Sequence, residues 1–437
     1  MKKYSKIYIV FLITLIMLLF LGSIGNAGEK AVTLEYWMWD PDLRAKTENV
    51  IEAFEETHPG IKINLTTMEP KDYWVKMRIM ASTGKLPDVF NMSSGYLEEW
   101  SGNGFLFDVT DYVNSQLTSE EYFLNLFKAG SELANTDKVY AVPFALVVTV
   151  LYYNKDMYDE AGLDYPTSSW DWNDFLNAAK ELTKDTDNDG KIDQWGYWFY
   201  GRYAHVESWI FRNSGRLIDR ANMKFAPDVN AVKAMQFLNK LISTYHVASM
   251  PKDMAGVNQQ DVFPRGLAAM WIDGSWNIDN TRKIASSDMH WGISEIPPGP
   301  NGDPNSAYGW PDFITISSKT KHPNEAWEFV KFASGAGLSI DMYMAGKIPS
   351  YKPLALSDEF VDKTKQPAEM GLLLEIAGKT MNTSFTNGWS EWRGYGAAEN
   401  MGLNGLLDAV FNGEMTLDEA LGKAKTNANK VLDRLYK

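Results

Sequence analysis

An acidic stretch from Asp185 to Asp193 has the spacing of a calcium-binding loop. Its carboxylates recur at every second position, and Gly190 permits the sharp turn that such loops need. The glutamate that usually completes the loop is missing, because Gly196 stands at its position. Two interpretations stay open, a structural Ca²⁺ site and a solvated acidic turn. The predicted ligands are Asp185, Asp187, Asp189, Asp193 and, through its backbone carbonyl, Lys191.

Other candidate residues follow two predicted strands. Val32 to Trp37 is an apolar, β-branched run typical of a buried strand, and a later strand is predicted to begin at Leu86. Strands that alternate with helices predict an open parallel sheet, in which ligands bind beyond the carboxyl ends of the strands. Helix capping and loop formation are equally open roles for the polar residues there. The side chains at those ends that could stack on or hydrogen-bond to a ligand are Trp39, Asp40, Asn91, Ser93 and Ser94.

Composition excludes several kinds of chemistry. The chain of 437 residues has no cysteine, which excludes disulfides, thiolate metal sites, thiol nucleophiles and a lipid-modified cysteine. Its five histidines lie far apart, without metal-ligand spacing. The 56 acidic residues outnumber the 42 Lys and Arg, so the net charge of −14 argues against nucleic acid and anionic lipid as partners.

The N-terminal segment, residues 1–27, has the pattern of a secretory signal peptide. Lysines precede an apolar run from Ile7 to Leu21, and small residues precede Gly28. The apolar run has 15 residues, fewer than the roughly 17–25 of a membrane span, although an uncleaved anchor stays an alternative. We therefore expect a periplasmic or otherwise extracytoplasmic protein that is not a lipoprotein.

The remaining pattern predicts more than one domain. The length suggests two or three domains. Residues 147–290 are predicted to be mostly helical, and a strand is predicted over Phe313 to Ser317. An amphipathic helix is predicted from Pro323 to Ala333.

Four stretches in order along residues 30–435 carry a resemblance to a known family. They are VTLEYWMWDP with FEETHPGIKINL; GKLPDVFNMSSGYLEEWSGNGFLFDVTDYV; KVYAVPFALVVTVLYYNKDMYDEAGLD; and GLAAMWIDGSWNI with FITISSKTKHPNEAWEFVKFASG. The chain resembles the extracellular solute-binding proteins of sugar-transporting ABC importers (family 1), which include the maltodextrin-binding proteins.

The resemblance implies an α/β, two-lobe periplasmic binding protein fold of type II. Each lobe would be an open mixed or parallel sheet flanked by helices, and a hinge would join the two lobes. The first lobe would comprise residues 31–143 plus 293–335, and the second lobe residues 147–290 plus 336–437. A monomer without catalysis or a required cofactor would bind a neutral mono- or oligosaccharide between the lobes and deliver it to membrane permease subunits.

The resemblance also implies ligand contacts later in the chain. A sugar has apolar faces on which aromatic rings stack, and polar edges that need hydrogen-bond partners. The first crossing between the lobes departs from the maltodextrin-binding pattern, because Val147 stands where those proteins place an acidic residue. Tyr197, Trp198 and Tyr200 are further aromatic candidates. The residues at the family's contact positions are Gly274, Ser275, Trp276, Trp310, Trp389, Trp392 and Arg393.

Two other functions remain open at this point. A secreted carbohydrate-active hydrolase would share the signal, the aromatic residues and the calcium loop, and would need two carboxylates about 5–10 Å apart. The same binding fold could instead serve a non-sugar solute such as glycerol phosphate or a polyamine. Net negative charge disfavours the anionic solute unless arginines gather locally.

Overall fold

The computed structural model describes residues 31–200, 203–254, 256–337, 346–394 and 402–437. The predicted signal segment, residues 1–27, lies outside the described residues. None of the described helices has both the length and the apolarity that crossing a membrane requires.

The strands of the described ranges are β1 (Val32–Trp39), β2 (Ile61–Met68), β3 (Val89–Ser93), β4 (Val142–Asn154), β5 (Trp195–Trp198), β6 (Ile218–Asp219), β7 (Lys224–Phe225), β8 (Ala248–Ser249), β9 (Ala268–Gly274), β10 (Trp291–Ser294), β11 (Ser306–Ile316), β12 (Ile348–Pro349) and β13 (Thr380–Asn382).

The α-helices of the same ranges are α1 (Arg44–Thr57), α2 (Pro70–Ser82), α3 (Leu97–Gly102), α4 (Thr110–Gln116), α5 (Leu124–Leu133), α6 (Lys155–Ala161), α7 (Trp172–Glu181), α8 (Tyr203–Phe211), α9 (Val229–Ser243), α10 (Asn277–Ile284), α11 (Pro323–Ala333), α12 (Lys352–Ala355), α13 (Gly371–Ala377), α14 (Trp389–Arg393), α15 (Gly402–Phe411) and α16 (Leu417–Leu435). Short 3₁₀ helices cover Pro41–Leu43, Ser94–Tyr96 and Pro251–Met254.

One curled, mixed sheet runs through the molecule in the order β2-β1-β3-β11-β4-β9-β5-β8. The strands β2, β1 and β3 are parallel, whereas β11 lies antiparallel to β3. At the other end β5 is parallel to both β9 and β8. The parallel strands predicted for the start of the chain are therefore confirmed, within a sheet that also contains antiparallel pairs.

The long strand β4 divides this sheet into two halves. Its residues 142–148 pair with β11, and its residues 149–153 pair with β9. We call the β2, β1, β3 and β11 side the first half-sheet, and the β9, β5, β8 and β10 side the second half-sheet. Because all of β4 is buried, the chain passes between the halves through the interior.

Local sequence explains the helix that follows β1. Val50, Ile51 and Phe54 lie on its buried face, as their spacing predicts. The helix ends at Thr57, and the backbone N–H of His58 caps it by donating to the carbonyl of Phe54. The predicted helix from Pro323 to Ala333 is also confirmed, with the same limits.

Two predicted strand boundaries are wrong. The third strand begins at Val89 rather than Leu86, because Pro87 has no N–H to donate to a neighbouring strand. The later strand begins at Ser306 rather than Phe313 and ends at Ile316. It continues through Pro311 because its pairing with β4 shifts register between Asp312 and Phe313, and irregularities of this kind accommodate proline.

The segment that begins at residue 346 packs on the first half-sheet. Its strand β12 pairs with Ala145 and Leu146 of β4, and Tyr351 bridges to Tyr122. The sequence-based division assigned this segment to the second lobe, 147–290 plus 336–437. The segment brings Lys347 close to the end of β1.

Candidate functional site

A cavity of about 460 Å³ lies where the two half-sheets meet at β4 and β11. Its volume falls in the range of about 300–1,000 Å³ that is typical of small-ligand sites. Trp39 and Ser93 reach it from the ends of β1 and β3, whereas Asp273 reaches it from β9. Val147 and Trp310 line it from the strands that connect the halves. The carboxyl ends of strands therefore form the cavity, as the open-sheet rule predicts.

Aromatic side chains line opposite walls of this cavity. Trp39 and Trp74 lie on one wall, with ring centroids 5.8 Å apart and an interplanar angle of 34°. Trp276 and Trp310 form a second aromatic pair, with centroids 5.6 Å apart and an angle of 49°. Tyr200 adds a ring from the segment after β5. Broad apolar surfaces of this kind can cover the flat faces of a ligand.

A buried ion cluster forms the polar part of the first wall. The Nζ atom of Lys347 lies 3.2 Å from Oδ2 of Asp40 and 3.2 Å from Oδ2 of Asp312. The side chains of Lys347 and Asp312 are 10% and 9% exposed, whereas that of Asp40 is 33% exposed. All three residues line the cavity, so this cluster presents hydrogen-bonding groups to a ligand.

The cluster fixes the charge of Lys347. Burial opposes the charge of Lys347, but the carboxylates of Asp40 and Asp312 offset it and hold the pKa of Lys347 well above its ordinary value. Burial raises the pKa of Asp312, and the nearby ammonium of Lys347 opposes that rise. Lys347 is therefore a permanent cation at neutral pH, shared by two carboxyl groups.

A second hydrogen-bonded group surrounds Asp273 on the opposite wall. Its carboxylate accepts from the hydroxyl of Tyr200 at 3.0 Å, the amide of Asn277 at 2.8 Å and the backbone N–H of Gly274 at 2.7 Å. Nε2 of His205 lies 3.2 Å from the same carboxylate. These bonds fix the Tyr200 ring beside the cavity, so Asp273 orients an aromatic side chain.

Six of the residues predicted from sequence line the cavity: Trp39, Asp40, Ser93, Tyr200, Trp276 and Trp310. Asn91 and Ser94 lie nearby but are engaged elsewhere. The amide oxygen of Asn91 accepts from the hydroxyl of Tyr36 at 2.8 Å, and the hydroxyl of Ser94 donates to the carbonyl of Pro311 at 2.6 Å. Both side chains are buried and hold the strands together.

Gly274 and Ser275 support the neighbouring tryptophan. A side chain at Gly274 would place its Cβ only 1.8 Å from the ring of Trp276, so glycine is required for that ring position. The backbone N–H of Ser275 donates to the carbonyl of Val148 at 2.8 Å, which ties the turn to β4. Neither residue lines the cavity.

Trp389, Trp392 and Arg393 are buried away from the cavity. The Trp389 ring packs so tightly on Gly95 that a Cβ there would lie 2.7 Å from it. Nε1 of Trp392 donates to the hydroxyl of Thr386 at 2.8 Å. Nε of Arg393 donates to Oε1 of Glu207 at 2.8 Å, and both side chains are fully buried. This segment therefore packs and pairs within the protein, although Arg393 also hydrogen-bonds to Asn404, which lines the cavity.

Sequence reasoning missed the buried charged residues of the cavity, Lys347, Asp312 and Asp273. Asp312 and Asp273 stand inside apolar strands, where a charged residue is costly unless it is paired or functional. That signal could have identified both carboxylates. No local pattern marks Lys347, because its partner Asp40 is 307 residues away in sequence.

The acidic loop brings part of its predicted ligand set together. One oxygen from each of Asp185, Asp187 and Asp193 lies within 4.8 Å of the others, which is close enough to share a cation. Asp189 instead accepts from the backbone and side-chain nitrogens of Lys191 at 2.8 and 3.0 Å. Calcium binding by Asp185, Asp187 and Asp193, and the carbonyl contact of Lys191, stay predictions.

Comparisons with known proteins identify the family. The sequence model of the bacterial extracellular solute-binding proteins matches residues 40–338. The multiple sugar-binding protein of Streptococcus mutans is 26% identical over 325 residues, which cover 70% of this chain and 72% of that protein.

Solved structures identify the fold. An ABC substrate-binding protein of Listeria monocytogenes, in complex with cycloalternan, superposes with a TM-score of 0.80 at 21% identity, covering 92% of this chain and 99% of that one. The sugar-binding protein MalE of Xanthomonas citri superposes with a TM-score of 0.74 at 18% identity, covering 92% and 98%. The predicted two-lobe, type II periplasmic binding protein fold is confirmed.

Proposed function

The chain belongs to the bacterial extracellular solute-binding protein family, and on this premise we propose that it is the sugar receptor of an ABC importer. It binds an uncharged mono- or oligosaccharide in the cavity between the half-sheets and presents it to permease subunits in the membrane. The sugar-binding relative in Streptococcus mutans supports this substrate class.

One observation carries the proposal. The cavity combines the rings of Trp39, Trp276 and Trp310 with the carboxylate of Asp40, all within one volume of about 460 Å³. Rings cover the apolar faces of a sugar, and the carboxylate accepts hydrogen bonds from its hydroxyls. Val147 leaves the wall apolar where maltodextrin-binding proteins carry an acid, so we expect a ligand preference different from maltose.

The binding movement is a closure of two lobes around the ligand. We propose a first lobe of residues 31–143 plus 293–335 and a second lobe of residues 147–290 plus 336–437, except that β12 pairs within the first half-sheet and β10 within the second. The strand β4 pairs with β11 up to Val148 and with β9 from Thr149 onward. This change of pairing partner supports a hinge at that point. Hinge closure around a ligand is the known mode of periplasmic binding proteins.

The family is extracytoplasmic, and we assign the protein to the periplasmic or outer side of the membrane as a free monomer. Residues 1–27 would be removed as a signal peptide, and the lack of cysteine excludes an N-terminal lipid anchor on that residue. The acidic composition supports the absence of a nucleic-acid partner.

A carbohydrate-active hydrolase is the less supported alternative. The family matched is one of solute-binding proteins, and two of the cavity carboxylates, Asp40 and Asp312, are ion-paired with Lys347. Receptor function without catalysis therefore fits the site better.

A thermal-shift panel tests the proposal, because a ligand that binds the folded state raises its melting temperature. The panel contains maltose, maltotriose, cycloalternan, D-tagatose and D-mannitol, with glycerol 3-phosphate and spermidine as charged comparisons. We expect at least one uncharged carbohydrate to raise the melting temperature and to be recovered uncleaved. A shift with a charged solute alone, or accumulation of cleaved sugar, would overturn the proposal.

A further inference from the structure

Lys347 occupies an unusual place for a lysine. Its ammonium lies 3.2 Å from a carboxylate oxygen of Asp40 at the end of β1 and 3.2 Å from one of Asp312 in β11. Buried ions of this kind cost desolvation energy, and replacement by apolar residues is often neutral or stabilising. An ion cluster that is buried and yet lines the cavity therefore suggests a role in ligand binding.

The backbone conformation of Asp40 indicates that its surrounding contacts hold it in place. Its φ of 66° lies in the left-handed region, which non-glycine residues seldom adopt. It stands before the 3₁₀ helix Pro41–Leu43, but its side chain caps no backbone N–H of that helix. Its carboxylate accepts from Lys347 instead, and its 33% exposed side chain borders the cavity. Strained residues of this kind persist where surrounding contacts determine them.

Asp312 links the same lysine to an aromatic wall. Besides its contact with Lys347, the Asp312 carboxylate is hydrogen-bonded to the side chain of Trp310. Indole has one N–H donor, so this bond fixes the plane of the Trp310 ring. The ring faces Trp276 across 5.6 Å between centroids. The ammonium of Lys347 thus connects Asp40, which can accept from a sugar hydroxyl, to Trp310, which can stack on a sugar face.

We propose that Lys347 is a positioning residue of the sugar site, holding Asp40 for contact with sugar hydroxyls and, through Asp312, holding Trp310 for stacking. This inference rests on the proposed function. The ammonium has three N–H donors, so Lys347 also offers a donor beside the acceptor oxygens of Asp40. A donor next to an acceptor suits two adjacent hydroxyls of an uncharged sugar, one accepting and one donating.

The test compares Lys347→Met and Asp40→Asn with the double variant, using the panel carbohydrate that shifts the wild-type protein most. Each single substitution is expected to weaken sugar binding about 10- to 100-fold, as expected for hydrogen bonds to charged groups. Because Lys347 acts partly through Asp40, the two effects should be less than additive, and the double variant should bind little worse than Lys347→Met alone. Lys352→Met removes a lysine from the same segment, outside the cavity, and should bind like the wild type.

A pH profile separates positioning from a purely structural role. Burial raises the pKa of Asp312 and Lys347 opposes that rise, so removal of Lys347 should raise this pKa further and move the acid limb of the affinity profile to higher pH. The stability of Lys347→Met should recover as pH falls, because the folded form then takes up protons at carboxyls that lack their cation. Besides Lys347, the charged and titratable groups that line the cavity are Asp40, Asp42, Glu69, Tyr200, Asp273, Asp279, Lys283 and Asp312. The buried Tyr36 interacts with Asp40.

The outcomes separate this inference from the proposed function. If the wild type binds no carbohydrate of the panel, the proposed function fails and the inference fails with it. If the wild type binds and Lys347→Met binds equally well with an unshifted acid limb, only the inference is overturned. Should Lys347→Met fail to fold, Asp40→Asn decides, because it keeps the Lys347–Asp312 pair; unchanged affinity in that variant contradicts the inference.

Discussion

Lys347 and Arg393 are both buried cations paired with carboxylates, yet they have opposite surroundings. Arg393 and Glu207 are fully buried, whereas the cluster of Lys347 includes the 33% exposed side chain of Asp40 and borders the cavity. The first pair does not line the cavity, so we expect it to serve the fold. The second can exchange hydrogen bonds with a ligand. Access to the cavity, rather than burial or charge, distinguishes a binding cluster from a structural one.

The tryptophans divide in the same way. Trp276 is partly exposed and lines the cavity beside Trp310. Trp389 and Trp392 are buried in the apolar core, although their sequence context matched ligand contacts of the family. The structure therefore separates tryptophans that line the cavity from Trp389 and Trp392, whose contact with a ligand stays a prediction.

Replacement of Glu207, the partner of the buried cation Arg393, should give the largest effect on stability. Glu207→Gln leaves Arg393 buried without a countercharge and should lower the free energy of unfolding by about 3–5 kcal/mol. Sugar affinity of the folded protein should stay unchanged. Urea unfolding followed by circular dichroism measures the first quantity, and calorimetry the second. A loss below about 1 kcal/mol, the value of an exposed pair, would remove the contrast between the two clusters.

Paired tryptophan substitutions sharpen the comparison. Trp389→Ala should lower stability by about 3–5 kcal/mol, as expected for a large buried ring, and leave the affinity of the folded protein unaltered. Trp276→Ala should instead weaken sugar binding by about 2 kcal/mol, the size of an interface hot spot, with a smaller loss of stability. Titration calorimetry and thermal melts of both variants check this. Reversed effects would mean that the sugar contacts the segment around Trp389 and not the cavity.

The exposed acidic loop should give the smallest effect. Hydrogen bonds from the hydroxyl and backbone N–H of Thr186 lower the pKa of Asp193. A lowered carboxyl pKa stabilises the fold above the unfolded-state pKa and loses that contribution as pH falls through the folded-state pKa. Asp193→Asn should therefore lower the melting temperature slightly at neutral pH and not in acid. Added Ca²⁺ should raise the melting temperature of the wild type only, and an unchanged wild type would reject the calcium prediction.

The sequence predicts the regular parts of this fold because they depend on local chemistry. Apolar spacing and a terminating His-Pro-Gly locate α1, and proline followed by an amphipathic run locates α11. The strand β11 was harder to predict, because Pro311 resembles a strand breaker and only tertiary pairing with β4 carries the strand through it.

The polar part of the site could be predicted only in part. Trp39 and Ser93 end strands, Asp40 follows one, and all three were accessible to the open-sheet rule. Lys347 meets Asp40 only after folding brings together segments 307 residues apart. Its role depends on that juxtaposition and on the exposure of Asp40, which no local pattern records.

A crystal structure of the wild-type protein with the panel carbohydrate that binds most tightly tests the central claim most directly. We expect one sugar molecule in the cavity, with Trp276 or Trp310 against a ring face and a carboxylate oxygen of Asp40 within hydrogen-bond distance of a hydroxyl. A sugar bound outside this cavity, or one that contacts neither tryptophan, would contradict the account.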